Sequence, residues 1–173
     1  MTSKTDDPGL HRGSLGIGKD GSFQIHFERH FPFSPSVVWQ WLVDPDKLSK
    51  WLPGSTISPL VGGQVLYDFG DEGQATGDVI SLQAPTTGAG HLEHSWNWDG
   101  IPTPSIVKWE ILPTADGSKL SLTHREAPRE PAGEFGMGWH MILDSLQLAV
   151  TGTAVDEAWN LDEETIAYYV NQG

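Results

Sequence analysis

From residue 62 to residue 125 the chain alternates short strand-like runs with short turns rich in Gly, Asp and Pro. The runs are "QVLYDF", "ATGDVISLQA", "HLEHSWNW", "SIVKWEILP" and "KLSLTHRE", broken by turns such as "GDEGQ", "DGIPTP" and "TADGS". A parallel sheet needs a crossover of about a dozen residues or more between neighbouring strands, and turns this short leave no room for one. The pattern therefore predicts an antiparallel meander within an α+β domain.

The flanking segments complete the layout. Phe23, Ile25, Phe27 and Phe31 share one face of a preceding strand, and Gln24, His26, Glu28 and His30 share the other. "SPSVVWQWLVDPDKLSKWLPG" then switches to helical spacing, with Ser34 at an N-cap and Pro35 at the first helical position. Asp44 and Pro45 repeat that start signal for a second short helix, which Pro53 and Gly54 end. Trp39 and Trp51 read as structural anchors for these helices. After the meander, "APREPAGEFGMG" reads as a loop leading to a long helix over residues 137–151. There Trp139, Ile142, Leu143, Leu146 and Val150 form one apolar stripe. The expected organisation is a flexible lead-in at 1–22, one domain at 23–152 and an acidic extension at 153–173 with a short helix near 162–170.

Charge and composition narrow the function. The chain has 23 acidic and 10 basic residues, a formal charge of −13, which repels phosphate backbones and anionic membranes. No apolar run approaches the roughly 20 residues that span a bilayer, and the first 22 residues hold no signal-peptide core. With no cysteine, thiol catalysis, disulfides and thiolate metal sites are excluded. The expectation is a cytoplasmic monomer or weak dimer with no nucleic-acid partner and no membrane insertion. No cofactor, metal or catalytic motif is expected, since Gly62 and Gly63 read as a turn and neither a nucleophile elbow nor a zinc-binding His pair is present.

"HLEHSWNWDG" at 91–100 gathers two histidines, a glutamate and two tryptophans. On a strand, alternate side chains share a face, so Leu92, His94, Trp96 and Trp98 point inward while His91 and Glu93 point outward. Turn centres near 101–102 and 116–117 pair His94 with Trp109 and Trp109 with His124, to within about two residues. The two histidines then stand roughly 10 Å apart with an indole between them, too far to share a metal or relay a proton directly. They suit separate polar handles in an aromatic pocket. Tyr67 and Phe69 from an earlier strand, with Trp139 and Leu143 from the long helix, complete the candidate ligand-binding set.

Four stretches, "ERHFPFSPSVVWQWLVDPDKLSKWLPG", "VGGQVLYDF", "HLEHSWNW" and "KLSLTHRE…GWHMILDSL", occur in an order that resembles the homologues of the activator of the ninety-kilodalton heat-shock chaperone's ATPase. That family belongs to the START-like superfamily, with birch-allergen-like proteins and polyketide aromatases. The resemblance covers residues 23–152. It implies a helix-grip fold, in which a curved antiparallel sheet wraps a long C-terminal helix and two short helices follow the first strand. It also implies a small hydrophobic ligand, aromatic or lipid-like, held in an internal cavity by an intracellular carrier or sensor. Two alternatives follow from the same resemblance. One is a co-chaperone-like partner of an ATP-dependent heat-shock chaperone. The other is a cyclase, dehydratase or hydrolase on a polyketide-like substrate, with His94 or His124 as general acid–base.

Overall fold

A computed structural model describes residues 12–17, 21–86, 88–127, 132–155, 158 and 161–172. Its strands are β1 (Ser14–Ile17), β2 (Phe23–Phe31), β3 (Thr56–Ile57), β4 (Gln64–Asp68), β5 (Gln74–Gln83), β6 (Gly90–Trp98), β7 (Ser105–Thr114) and β8 (Gly117–Arg125). Its helices are α1 (Pro35–Val43), α2 (Pro45–Trp51), α3 (Ala132–Val150) and α4 (Glu163–Gln172). All eight strands join one antiparallel sheet in the order β1-β2-β8-β7-β6-β5-β4-β3. Each strand from β4 to β8 lies beside its predecessor, as the short turns require. One long-range pairing, β2 with β8, joins the first long strand to the last (Ile25 opposite His124, Phe27 opposite Leu122).

The sheet is a helix-grip sheet. Its inner face carries the alternate apolar residues Ile25, Phe27, Leu92, Val107, Trp109, Leu120 and Leu122, all buried, and α3 packs Trp139, Leu143 and Leu146 against them. A register shift between Val79 and Ser81 disrupts the β5–β6 ladder, the kind of irregularity that bends a strand and lets a sheet curl. At the start of α2, the Asp44 carboxylate accepts the Asp46 N–H at 3.0 Å. Ser34 occupies the N-cap position of α1, but its hydroxyl pairs with Ser36 rather than with a backbone N–H. The indole of buried Trp51 donates to the carbonyl of Trp41, and Ser145 of α3 donates to the carbonyl of Trp51. Those two bonds tie the short helices to each other and to the long one.

Arg29 takes an inward position on β2 between Phe27 and Phe31. Its guanidinium is buried and donates to Asp144 at 2.7 Å and to Gln147 at 2.6 Å, both on α3. A buried charge is tolerated only when paired, and here the pairing clamps β2 to the helix. Burial works to raise the Asp144 carboxyl, but the hydrogen bond from His140 and the charge of Arg29 outweigh it and hold it below the usual range.

Two expectations are revised. First, α3 begins at Ala132, five residues before the expected start at 137. Glycine lowers helix propensity by about 1 kcal/mol relative to alanine, so "GEFGMG" reads locally as loop. Its glycines have a tertiary cause: a Cβ at Gly133 would sit 2.8 Å from the Tyr169 carbonyl oxygen, and one at Gly136 would sit 2.9 Å from the Tyr169 ring. Second, Ser14–Ile17, expected in the mobile lead-in, forms an edge strand on β2. The other residues of that lead-in fall mostly outside the described set, as do residues 128–131 of the expected loop. The short helix expected near 162–170 is present as α4, which docks on the first turns of α3. Tyr169, fully buried, accepts the Gly13 N–H at 2.9 Å and bonds His140 Nδ1 at 2.8 Å, while Tyr168 donates to the Gly13 carbonyl. Gly13 and α4 thus meet beside the first turns of α3.

Candidate functional site

The register places His94 opposite Val107 and Val107 opposite His124, with Leu92, Trp109 and Leu122 in the next row. The expected His94–Trp109–His124 row is therefore slipped by two residues, which keeps every side chain on its expected face. Both hairpin turns centre one residue earlier than expected. In the second, Thr114 pairs with Gly117. Gly117 is not the turn's glycine: a side chain there would collide with the carbonyl oxygen of Phe31.

Each histidine is held by a tryptophan. Trp109 Nε1 donates to His94 Nε2 at 3.1 Å, and Trp139 Nε1 donates to His124 Nδ1 at 3.0 Å. An indole N–H can only donate, so the accepting ring nitrogens are bare and the protons sit on the opposite atoms. His94 Nδ1–H then donates to the Ser95 carbonyl at 3.0 Å, and His124 Nε2–H to Ser105 Oγ at 2.6 Å. Both rings are wholly buried, and burial depresses both basicities, to about 4 for His94 and about 3 for His124. The close Ser105–His124 pair has the wrong tautomer for a serine nucleophile and its base, because the nitrogen facing the hydroxyl already carries the proton.

The centre of the grip is thus packed solid. Among Tyr67, Trp109 and Trp139 only a narrow gap remains, with no room for a water molecule. The open space lies at one end instead, as a cavity of about 690 Å³, within the range of small-molecule sites. Its walls are the end of α2 (Leu52, Pro53), residues 68–72 after β4, Trp96 and Trp98 of β6, and the 134–142 face of α3. Aromatic rings dominate. Trp96 and Trp98 lie nearly parallel with centroids 6.2 Å apart, Phe69 sits 5.6 Å from Trp98, and Phe135 meets Trp98 edge-on at 5.8 Å. Gly138 leaves the helix side bare, since a Cβ there would meet nothing within 4 Å.

Of the expected ligand-binding residues, Phe69, Trp96, Trp98 and Trp139 line this cavity. Tyr67 and Trp109 sit behind it, around the narrow gap. His94, His124 and Leu143 are buried away from it. Phe135, Gly138 and the acidic residues Asp68, Glu72 and Glu134 line it without having been expected. Phe135 lies four residues before Trp139, on the same helical face, so extending the stripe backward would have found it. His91 and Glu93 point away from the core, and Glu93 pairs with Arg125 at 3.0 Å. Among the described residues no group of three or more His, Asp or Glu is placed to hold a metal ion, and no helix is long and apolar enough to cross a membrane.

Solved structures share this arrangement. CalU16 from Micromonospora echinospora superposes with a TM-score of 0.72 at 22% identity, over 92% of this chain and 94% of that one. MLL2253 from Mesorhizobium loti gives 0.66 at 22% identity over 75% and 98% of the two chains. DynU16, a protein of the dynemicin biosynthetic locus, gives 0.65 at 19% identity over 83% and 59%. No curated protein sequence matches the chain. At these identities the likeness establishes the helix-grip fold. The model of the activator of Hsp90 ATPase homolog 1-like proteins matches residues 32–151, well over half of the sequence, and the chain belongs to that family.

Proposed function

We propose that the protein binds a hydrophobic, aromatic small molecule in the end cavity and acts as an intracellular carrier or sensor. The observation that carries this reading is the cavity itself: about 690 Å³ walled by Phe69, Trp96, Trp98, Phe135 and Trp139. Each 100 Å² of apolar ligand surface moved from water into such walls contributes roughly 2.5 kcal/mol. The affinity comes from shape and apolar burial, because the imidazoles of His94 and His124 at the grip's centre are already committed to indoles. The location of DynU16 in a biosynthetic locus is in keeping with a natural-product ligand. Native mass spectrometry of freshly purified protein tests the reading. A co-purifying small mass, lost on denaturation, supports it. A bare chain that also fails to bind any member of a panel of aromatic and lipid compounds removes it.

The family's description supports a second reading, regulation of a heat-shock chaperone's ATPase. Leu60 and Val61, in the turn before β4, and Ile80 on β5 are exposed apolar side chains joined through the Gly62–Val79 backbone bond, a patch suited to a protein partner. Unchanged ATP turnover of a purified chaperone of that class with this protein in excess eliminates it.

A further inference from the structure

Among the described residues, every ionisable side chain in the cavity wall is a carboxylate: Asp68, Glu72 and Glu134. None of the three has a basic partner among the described residues' ion pairs, which engage Glu28, Glu93 and Asp144 instead. Asp68 spends one oxygen on the Gly70 N–H at 2.9 Å. Glu72 and Glu134 are exposed and stand at the mouth, whereas Trp96 is 3% exposed and forms the deep wall. The Trp96 indole N–H is buried with no acceptor among the described residues and borders no open space, so a ligand in the cavity meets the carbon atoms of that ring and not its donor. The rings of Phe69, Trp98 and Phe135 also line the cavity, and a cation over the face of such a ring is attracted by its quadrupole.

We propose, on the footing of the binding reading above, that the cavity selects amphiphilic amines. The ligand is an apolar aromatic body that carries a protonated amine for the carboxylates at its outer end. Carboxylate and phosphate amphiphiles are disfavoured by the same three charges. Fatty acids of matching size are therefore poor ligands even though the walls are apolar.

Three probes share one body, 6-methoxynaphthalene, and carry aminomethyl, hydroxymethyl or carboxylate at position 2. Their dissociation constants are read from NMR amide shifts on the full chain. The amine is expected to bind at least tenfold tighter than the alcohol, and the carboxylate weakest. Raising the salt, or substituting Glu72→Gln with Glu134→Gln, should bring amine and alcohol to within about threefold. Both glutamates are exposed, so the double variant keeps the fold. An amine no tighter than the alcohol, or a preference that survives the double variant, overturns the selectivity while the binding reading stands. Failure of all three probes to shift residues around the cavity overturns both.

Discussion

Trp139 on α3 donates its indole N–H to His124 Nδ1 on β8 at 3.0 Å, and that one bond fixes the tautomer of a wholly buried imidazole. It also fixes how deep the helix sits in the grip. Trp139→Phe removes the donor and leaves a bare nitrogen in the core, which costs about 1–3 kcal/mol of stability. Denaturant unfolding measures that loss. Long-range nitrogen–proton correlation spectra should show His124 in the native protein with Nδ1 bare and Nε2 protonated, and the reverse assignment would contradict the geometry.

The two buried histidines set an acid limit on the fold. Their folded basicities lie near 4 and 3, below the ordinary value of about 6.5 that the unfolded chain keeps. Below pH 6.5 the unfolded state binds protons that the folded state refuses, so stability falls as pH falls. Each histidine contributes a slope of about 1.4 kcal/mol per pH unit. Between pH 7 and 5 the pair should cost roughly 4 kcal/mol, most of it before the carboxylates begin to matter. Urea midpoints at pH 7, 6 and 5 should fall steeply in the native protein and much less in His94→Gln with His124→Gln.

The docking of α4 rests on two glycines of α3. Gly133→Ala would bring a methyl to about 2.8 Å from the Tyr169 carbonyl oxygen, which is backbone and must move. Gly136→Ala presses on the Tyr169 ring at 2.9 Å. In each case the helix gains propensity, about 1 kcal/mol, while α4 loses its seat. Hydrogen exchange should accelerate across residues 163–172 in both variants, with the sheet unaffected. Acceleration spread evenly over the chain would contradict a local clasp.

Much of this was legible in the sequence. Period-2 runs gave every long strand and assigned Leu92, His94, Trp96 and Trp98 to the buried face, because a strand's alternation survives any register error of two. The slip itself came from Asp116 and Gly117, a pair that reads as a turn but whose glycine is needed for contact with Phe31, far away in sequence. The first turns of α3 were hidden for the same kind of reason. Gly133 and Gly136 answer to Tyr169, which no local pattern connects to them. Arg29 went unnoticed because a charge among aromatics on β2 gives no local sign of Asp144, 115 residues away. The candidate ligand wall was legible only in part: periodicity says which residues face inward, but side-chain volumes decide whether the interior is open, and Trp109 and Trp139 fill its centre.

The end cavity as a ligand site is tested most directly at Gly138. The helix there is open to the cavity, so Gly138→Leu should fill it while leaving the fold as stable or up to about 1 kcal/mol more stable. The measurement is an NMR titration of native protein and Gly138→Leu with the aminomethyl methoxynaphthalene. The expected result is saturable shifts around Phe69, Trp96, Trp98 and residues 135–142 in the native protein, reduced at least tenfold in affinity in the variant. Equal binding by both proteins, or shifts that map to another surface, would contradict the assignment of this cavity as the site.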